Sequence, residues 1–379
     1  MPSSTYNDSM FRRVLRFIRS EAVLCIAAFC AAVSAFFVPP STEYLAYIDA
    51  RVLILLFCLM ATVAGLRRCG LFSWSARKLL SGKKPLRLVT LILILLPFFA
   101  SMFITNDVAL IAFVPFAILV LDMADKNDGL VRVVVLQAVA ANLGGMVTPI
   151  GNPQNLFIYT KYHLSLQEFF LALLPFALLA LLLLSSCCLT MGKDAIEPRL
   201  SSGRKRMDRN RLVLYAFLFA LCFACVLRVF SETALLLLVV LFVLLFDRST
   251  LKEVDYGLLL TFVCFFIFSG NMGNIPAVST LLGSLMESHP FAASVASSQV
   301  ISNVPAAVLL SEFTQDWHAL LLGVDLGGLG TPVASLASLI AFRLYMHAKD
   351  SSARAFMKEF FAINALGLLV MVGLYVFLF

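Results

Sequence analysis

The 379-residue chain is short of charge. Only 13% of its residues are Asp, Glu, Lys or Arg, against 61% apolar residues. A soluble globule carries about a quarter charged and about half apolar residues, so a polar surface cannot be assembled from this composition. Histidine is scarce, and His163, His289, His318 and His347 lie near the ends of apolar runs. There is no HExxH, GxSxG or paired set of catalytic carboxylates, which leaves an intramembrane enzyme unsupported. No Walker A sequence points to ATP hydrolysis. A cleavable leader is not expected, because the apolar run 22–38 is long enough to stay in a bilayer and lacks a small-residue cleavage signature. Nucleic-acid binding is excluded by the placement of charge. The net charge is +7, but the Lys and Arg residues fall in short clusters between apolar runs rather than along one stripe. What remains is a polytopic, all-α integral membrane protein.

Apolar spans are read at 22–38, 48–66, 87–103, 107–121, 131–160, 168–190, 211–229, 233–246, 255–270, 289–311, 318–346 and 358–379. Those at 131–160 and 318–346 are interrupted, and 289–311 is weak and polar. With a cytoplasmic N-terminus, all of the 29 Lys and Arg except Arg51, Lys161 and Arg228 fall on the cytoplasmic side. The positive-inside rule therefore places the N-terminus inside and the C-terminus outside. A cytoplasmic segment, 1–21, is followed by a first membrane half, 22–191, a basic linker, 192–210, and a second membrane half, 211–379. The linker reads as a topology anchor in preference to a nucleotide or lipid site. Arg228 reads as a snorkelling end residue, and Trp74 and Trp317 as interfacial anchors. The nine cysteines, including the Cys222/Cys225 pair, read as packing residues.

The halves resemble each other. Tyr47–Met60 aligns with Glu253–Phe266, pairing Asp49 with Asp255. Each is followed by a mixed segment, 67–81 and 271–288, expected to lie along the interface. Next come Asn-centred breaks, Thr105-Asn106-Asp107 and Ser302-Asn303-Val304. Last, LGGMVTP at 143–149 matches LGGLGTP at 326–332, pairing Asn142 with Asp325, Asn152 with Ser335 and Asn155 with Ser338. The charge rule makes the paired spans run in opposite directions. Inverted repeats of this kind are the signature of a secondary transporter with its substrate site at the repeat interface, and they favour alternating access over a channel.

A run such as NLGGMVTPIGNPQN cannot stay a regular lipid-facing helix, since its freed backbone groups must be buried in protein or face water. Gly and Pro are also commoner in membrane helices, but here two such breaks occur at matched places. Half-helix N-termini attract anions, and loose carbonyls with Asn, Ser and Thr side chains coordinate cations. The candidate site is therefore Thr105, Asn106, Asp107, Asn142, Thr148, Asn152 and Asn155 from the first half. Ser302, Asn303, Asp325, Thr331, Ser335 and Ser338 join them from the second. The unit 288–311 is too short for two spans and reads as a re-entrant hairpin. By symmetry 85–121 is another, although its longer arms also fit two ordinary spans. Asp107 and Asp325 are functional candidates, with helix capping a competing role for Asp107. No Lys or Arg lies in any break, so an anion would depend on helix ends, amides, hydroxyls and a co-bound cation.

At TNDVALIAFVPFAIL, NLGGMVTPIGNPQNLFIY, SNVPAAVLL and DLGGLGTPVASLASLIAF the chain resembles the ion transporter superfamily, which includes citrate, dicarboxylate and arsenite permeases. The GNPQN form is most similar to bacterial citrate-transporter-like anion permeases. The resemblance implies an elevator-type carrier with two re-entrant hairpins and two discontinuous transmembrane helices, a homodimer in the bacterial inner membrane. It implies a small anion, a di- or tricarboxylate or an inorganic oxyanion, coupled to Na⁺ or H⁺, with no other cofactor. A Na⁺ site is expected near Asn106, Asp107, Asn303 and Asp325. Dicarboxylate carriers bear Ser-Asn-Thr at each tip. Here the Asn and the preceding hydroxyl are kept and the final Thr is not. An Asn-Asp tip is nearer the arsenite permeases, so metalloid or cation efflux by H⁺ exchange is the alternative.

Overall fold

The computed structural model describes residues 21–80, 82–124, 126–189, 192, 195–196 and 208–379. The N-terminal arginines and most of the basic linker lie outside the described residues. The first half begins with α1 (Ala22–Phe37), a short α2 (Glu43–Tyr47), α3 (Ala50–Arg68) and α4 (Leu71–Leu80). It continues through α5 (Leu86–Ser101), α6 (Asn106–Met123), α7 (Leu130–Gly145), α8 (Pro153–Lys161) and α9 (Leu166–Leu189). The second half contains α10 (Arg209–Val226), α11 (Glu232–Phe246), α12 (Tyr256–Asn274) and α13 (Pro276–Ser288). There follow α14 (Pro290–Ile301), α15 (Asn303–Leu310), α16 (Trp317–Leu326), α17 (Leu336–Tyr345) and α18 (Ala353–Leu378). A two-residue ladder, β1 (Lys84–Pro85) with β2 (Ala195–Ile196), ties the linker to the start of α5.

Seven helices among the described residues are long and apolar enough to cross a membrane, and the chain is a multi-pass membrane protein. Both interrupted spans resolve into helix pairs, α7 with α8 and α16 with α17. The weak span is also two helices. At about 18 Å and 12 Å, α14 and α15 are too short to cross a bilayer, whereas α5 and α6 reach about 24 Å and 27 Å.

Local signals set the helix starts. Asp49 Oδ1 accepts from the Val52 N–H at 3.1 Å and Asp255 Oδ1 from the Leu258 N–H at 2.8 Å, so the two aligned aspartates cap α3 and α12 alike. Pro153, Pro276 and Pro290 open α8, α13 and α14, where the missing N–H costs nothing.

The helices pack in two neighbouring groups that also touch each other, through α12 on α15 and α3 on α8. One gathers α1, α3, α10, α11 and α12. At its charged end Asp247 is buried, accepting from Ser249 Oγ at 2.7 Å and Tyr215 OH at 3.2 Å, with Arg68 and Arg211 each 3.6 Å away. Burial pushes the Asp247 carboxyl up, but the bonds from Ser249 and Thr250 and the Arg68 charge outweigh it and hold the group below the usual carboxylate range. The other group gathers α5–α9 with α14–α18. Ion pairs tie its two halves together, Arg132 to Glu359 and Lys161 to Glu312.

Arg228 does not snorkel freely. Its guanidinium donates to the carbonyls of His163 (3.2 Å) and Tyr159 (3.4 Å) and lies over the Tyr159 ring. Cys222 and Cys225 are buried and unbridged, and Trp74 is exposed.

Candidate functional site

Each tip is held by the break of its own half. The Asn106 N–H donates to the Gly151 carbonyl at 3.1 Å, and the Asn303 N–H donates to the Ala334 carbonyl at 3.0 Å. Extending the match of the two Gly-Gly runs pairs Gly151 with Ala334, so these contacts are equivalent. In both tips the Asn side chain turns back along the chain. Asn106 Oδ1 accepts from the Asp107 N–H, and Asn303 Oδ1 from the Val304 N–H, each at 2.9 Å. These bonds satisfy helix N-terminal donors that would otherwise be orphaned. Asp107 is therefore not the cap. The helix starts at Asn106, and Asp107 stands in its first turn with Oδ1 buried and unpartnered. The tips differ in backbone. Thr105 is extended, while Ser302 sits at φ 75° and ψ 155°, a region almost reserved for glycine.

The breaks are braced against the preceding arms. Thr148 Oγ1 donates to the Met102 carbonyl at 2.6 Å, and Thr331 Oγ1 to the Gln299 carbonyl at 3.0 Å. Gln299 Nε2 donates to the carbonyls of Gly327 (2.7 Å) and Leu329 (2.9 Å). The hydroxyl protons of Thr148 and Thr331, expected at the ligand, thus hold the breaks open. Asn155 Nδ2 likewise donates to the carbonyls of Gly145, Met146 and Thr148. Close approach demands glycine at the helix ends. A Cβ on Gly144 would lie 2.1 Å from the Phe98 carbonyl oxygen, and one on Gly327 would lie 2.8 Å from Ser298 Cβ.

The halves then cross. Asn142 Oδ1 accepts from Asn106 Nδ2 and from Ser335 Oγ, both at 2.9 Å, and its Nδ2 points at the Gly328 carbonyl at 3.5 Å. One side chain of the first half thereby joins the first tip to the second break. Its counterpart Asp325 makes the reverse crossing, accepting from Gln154 Nε2 at 2.9 Å, with Asn152 and Asn155 beside it. Gln154 and Gln299 are absent from the expected set. Gln154 sits inside the polar GNPQN run, which was a usable signal, and is 1% exposed, whereas nothing in the sequence marks Gln299 as a brace.

Four buried polar atoms here lack a partner: Asp107 Oδ1, Asn155 Oδ1, Asp325 Oδ2 and Ser338 Oγ. Orphans of this kind are rare in folded proteins and call for a ligand, ion or water. A cavity of about 250 Å³ reaches the site from one face. Thr105, Asp107 and Asn152 line it on one side, and Arg67, Glu253 and Asp255 on the other. Arg67 pairs with Glu253 at 2.6 Å. Ser302, Asn303 and Asp325 are buried away from its wall.

The sequence matches the citrate transporter family over residues 10–322. It is 33% identical to the inner membrane protein YbiR of Escherichia coli over 317 residues, covering 82% of this chain and 84% of that one. An uncharacterized transporter of Methanocaldococcus jannaschii is 32% identical over 316 residues, 78% of this chain and 81% of its own. A silicon efflux transporter of rice is 32% identical over 141 residues, 37% of this chain and 28% of its own.

Proposed function

Because the chain belongs to the citrate transporter family, we propose that it is a secondary transporter that moves a small anion across the membrane by alternating access, coupled to Na⁺ or H⁺. The observation that carries this reading is the crossing at Asn142 and Asp325. Each half supplies a tip and a break, and side chains from each half complete the other's polar centre. We read the halves as inverted repeats, with matched caps at Asp49 and Asp255 and matched tip contacts at Gly151 and Ala334. The group α5–α9 with α14–α18 is the moving unit of an elevator, and α14–α15 is a re-entrant hairpin. The α5–α6 unit is the other hairpin on this reading, its tip meeting the break at mid-depth although its arms are longer.

The substrate sits among Asn106, Asn142, Asn303, Ser335 and Ser338, held by amide and hydroxyl donors and the N-termini of α6 and α15. The orphaned oxygens of Asp107 and Asp325 take the coupling cation, Na⁺ or a proton. By the charge rule the Arg67 face is cytosolic, so the site is open inward.

A specific observation favours a second reading. The cavity wall carries Asp107 and Asp255 beside the Arg67–Glu253 pair, with Arg68 3.6 Å from Glu253, a field that does not draw in a free dianion. A hydroxylated weak acid or metalloid entering uncharged, and exported by H⁺ exchange, suits that wall. The rice relative is named for silicon efflux.

A thermal-shift series on the purified protein separates the two readings. Citrate, succinate, sulfate, phosphate and arsenite are tested with and without Na⁺. Ligand at a hundred times its Kd stabilises by about 2.7 kcal/mol. Stabilisation by a carboxylate or oxyanion supports the first reading, and by arsenite alone the second. Uptake of the stabilising solute into proteoliposomes then tests transport itself, and its failure would overturn the assignment.

A further inference from the structure

The surface between the two helix groups differs at its two ends. Near the open cavity it is apolar, with Val63 of α3 packed against Ile104, Ala109 and Phe113. Carrying the register of Asp49 and Asp255 along both helices pairs Val63 with Ser269 of α12. At that opposite end Ser269 Oγ donates across the groups to the Val308 carbonyl of α15 at 3.0 Å. Arg228, in the turn between α10 and α11, also reaches across, to the carbonyls of Tyr159 and His163 at the end of α8. These carbonyls carry the partial negative charge of a helix C-terminus, which favours a cation there. Both sides of the Arg228–His163 contact hold a left-handed backbone without glycine, φ 62° at Arg228 and φ 54° at His163. Each is the left-handed position that closes its helix, with the Leu164 N–H donating to the Tyr159 carbonyl and the Val229 N–H to the Ala224 carbonyl, so the contact joins two firmly terminated helix ends.

The cavities follow the same asymmetry. The apolar end opens onto Thr105 and Asp107. At the bonded end a cavity of about 510 Å³ is lined by Asp49, Lys161, Ser269 and Glu312 and includes no tip residue. Ser302, the counterpart of Thr105, is 4% exposed.

We propose that Arg228 and Ser269 form a latch that holds the Lys161 face shut and biases the protein toward the form in which the Thr105 tip is open. The proposal rests on the alternating-access reading. When the moving unit shifts, the carbonyls of Tyr159, His163 and Val308 leave their donors, whereas the contact around Val63 is an apolar one. The charge-assisted bond of Arg228 is the stronger of the two.

The test uses the full chain in lipid nanodiscs, with N-ethylmaleimide as the probe and peptide-resolved mass spectrometry to read single positions. Two reporters are made separately, Thr105→Cys and Ser302→Cys. Each is compared with and without the pair Arg228→Ala and Ser269→Ala, which touch neither tip. Loss of the latch is expected to slow labelling at position 105 and speed it at 302, each by about fivefold or more. Arg228→Lys, which keeps the charge but not the fork, should give an intermediate result. A latch is overturned if both rates stay at the value of their own background, or if both rise together, which is general loosening. Should position 302 prove unreactive and position 105 invariant in every background, the alternating-access reading itself falls. If 302 labels measurably but ignores Arg228, only the latch falls.

Discussion

Asn142 is the residue on which the two halves meet. Its Oδ1 receives the amide of Asn106 and the hydroxyl of Ser335, so truncation would strand two donors where water is scarce. A buried donor left unpaired costs about 1–3 kcal/mol. Asn142→Ala is therefore expected to lower stability by roughly 2–4 kcal/mol and to abolish uptake. Thermal unfolding of the purified variant checks the first part, and an unchanged melting temperature would remove the bridging role. Ser302 offers a cleaner measurement, because its backbone strain can be separated from its hydroxyl. Ser302→Ala and Ser302→Gly both delete the hydroxyl that reaches the Ala334 carbonyl. Only the glycine variant relaxes φ 75°. The Gly variant should melt above the Ala variant, by about 1 kcal/mol or more, while both lose transport. Equal melting would mean that the tip is not strained.

At the scale of elements, each helix pair is fixed by a glycine face against the helix that precedes the tip, Gly144 against α5 and Gly327 against α14. Gly144→Ala would drive a Cβ to 2.1 Å from the Phe98 carbonyl oxygen, backbone that cannot swing away. Overpacking of this kind costs about 1–3 kcal/mol and sometimes more. Gly283→Ala in α13 meets nothing within 4 Å and should stabilise by up to about 1 kcal/mol through helix propensity. The two melting shifts should have opposite signs. A neutral Gly144→Ala would show that α5 and α7 are looser than this contact demands. The same elements explain what could be read from the sequence. The paired Gly-Gly-x-x-Thr-Pro runs mark where helices must stop, because Pro has no N–H and the freed groups need burial. Their register also pairs Gly151 with Ala334, which the structure uses for equivalent contacts. The short Ser- and Ala-rich unit before Ser302 was legible from length alone. Other roles were hidden because they depend on which group a side chain meets. Thr148 and Thr331 look like ligands until Met102 and Gln299 present carbonyls to them. For Asp107, capping competes with a functional role until the Gly151 carbonyl takes the Asn106 N–H and the helix starts one residue earlier.

At the scale of the molecule, the placement of polar ties allows motion between the groups to be tested against motion within one. Lys161–Glu312 and Arg132–Glu359 join elements of the same group, as do Gln154–Asp325 and Ser335–Asn142. Arg228 and His163 belong to different groups. If transport moves one group as a body against the other, a covalent tie between groups must stop it, and a tie within the moving group must not. The pair Arg228→Cys with His163→Cys places two exposed thiols at the joint between groups. The pair Lys161→Cys with Glu312→Cys replaces an ion pair inside one group. Both are made with Cys187, an exposed native thiol, changed to Ser. A short bis-methanethiosulfonate reagent then closes each pair. Closing the first pair should abolish uptake of the stabilising solute, and dithiothreitol should restore it. Closing the second should leave most of the uptake, because the helices it joins travel together. Full transport by the first cross-linked protein would exclude relative movement of the two groups and leave only local opening at the tips. Loss of transport in both would place the moving boundary elsewhere, between α8 and α15, because those are the elements that the second tie holds.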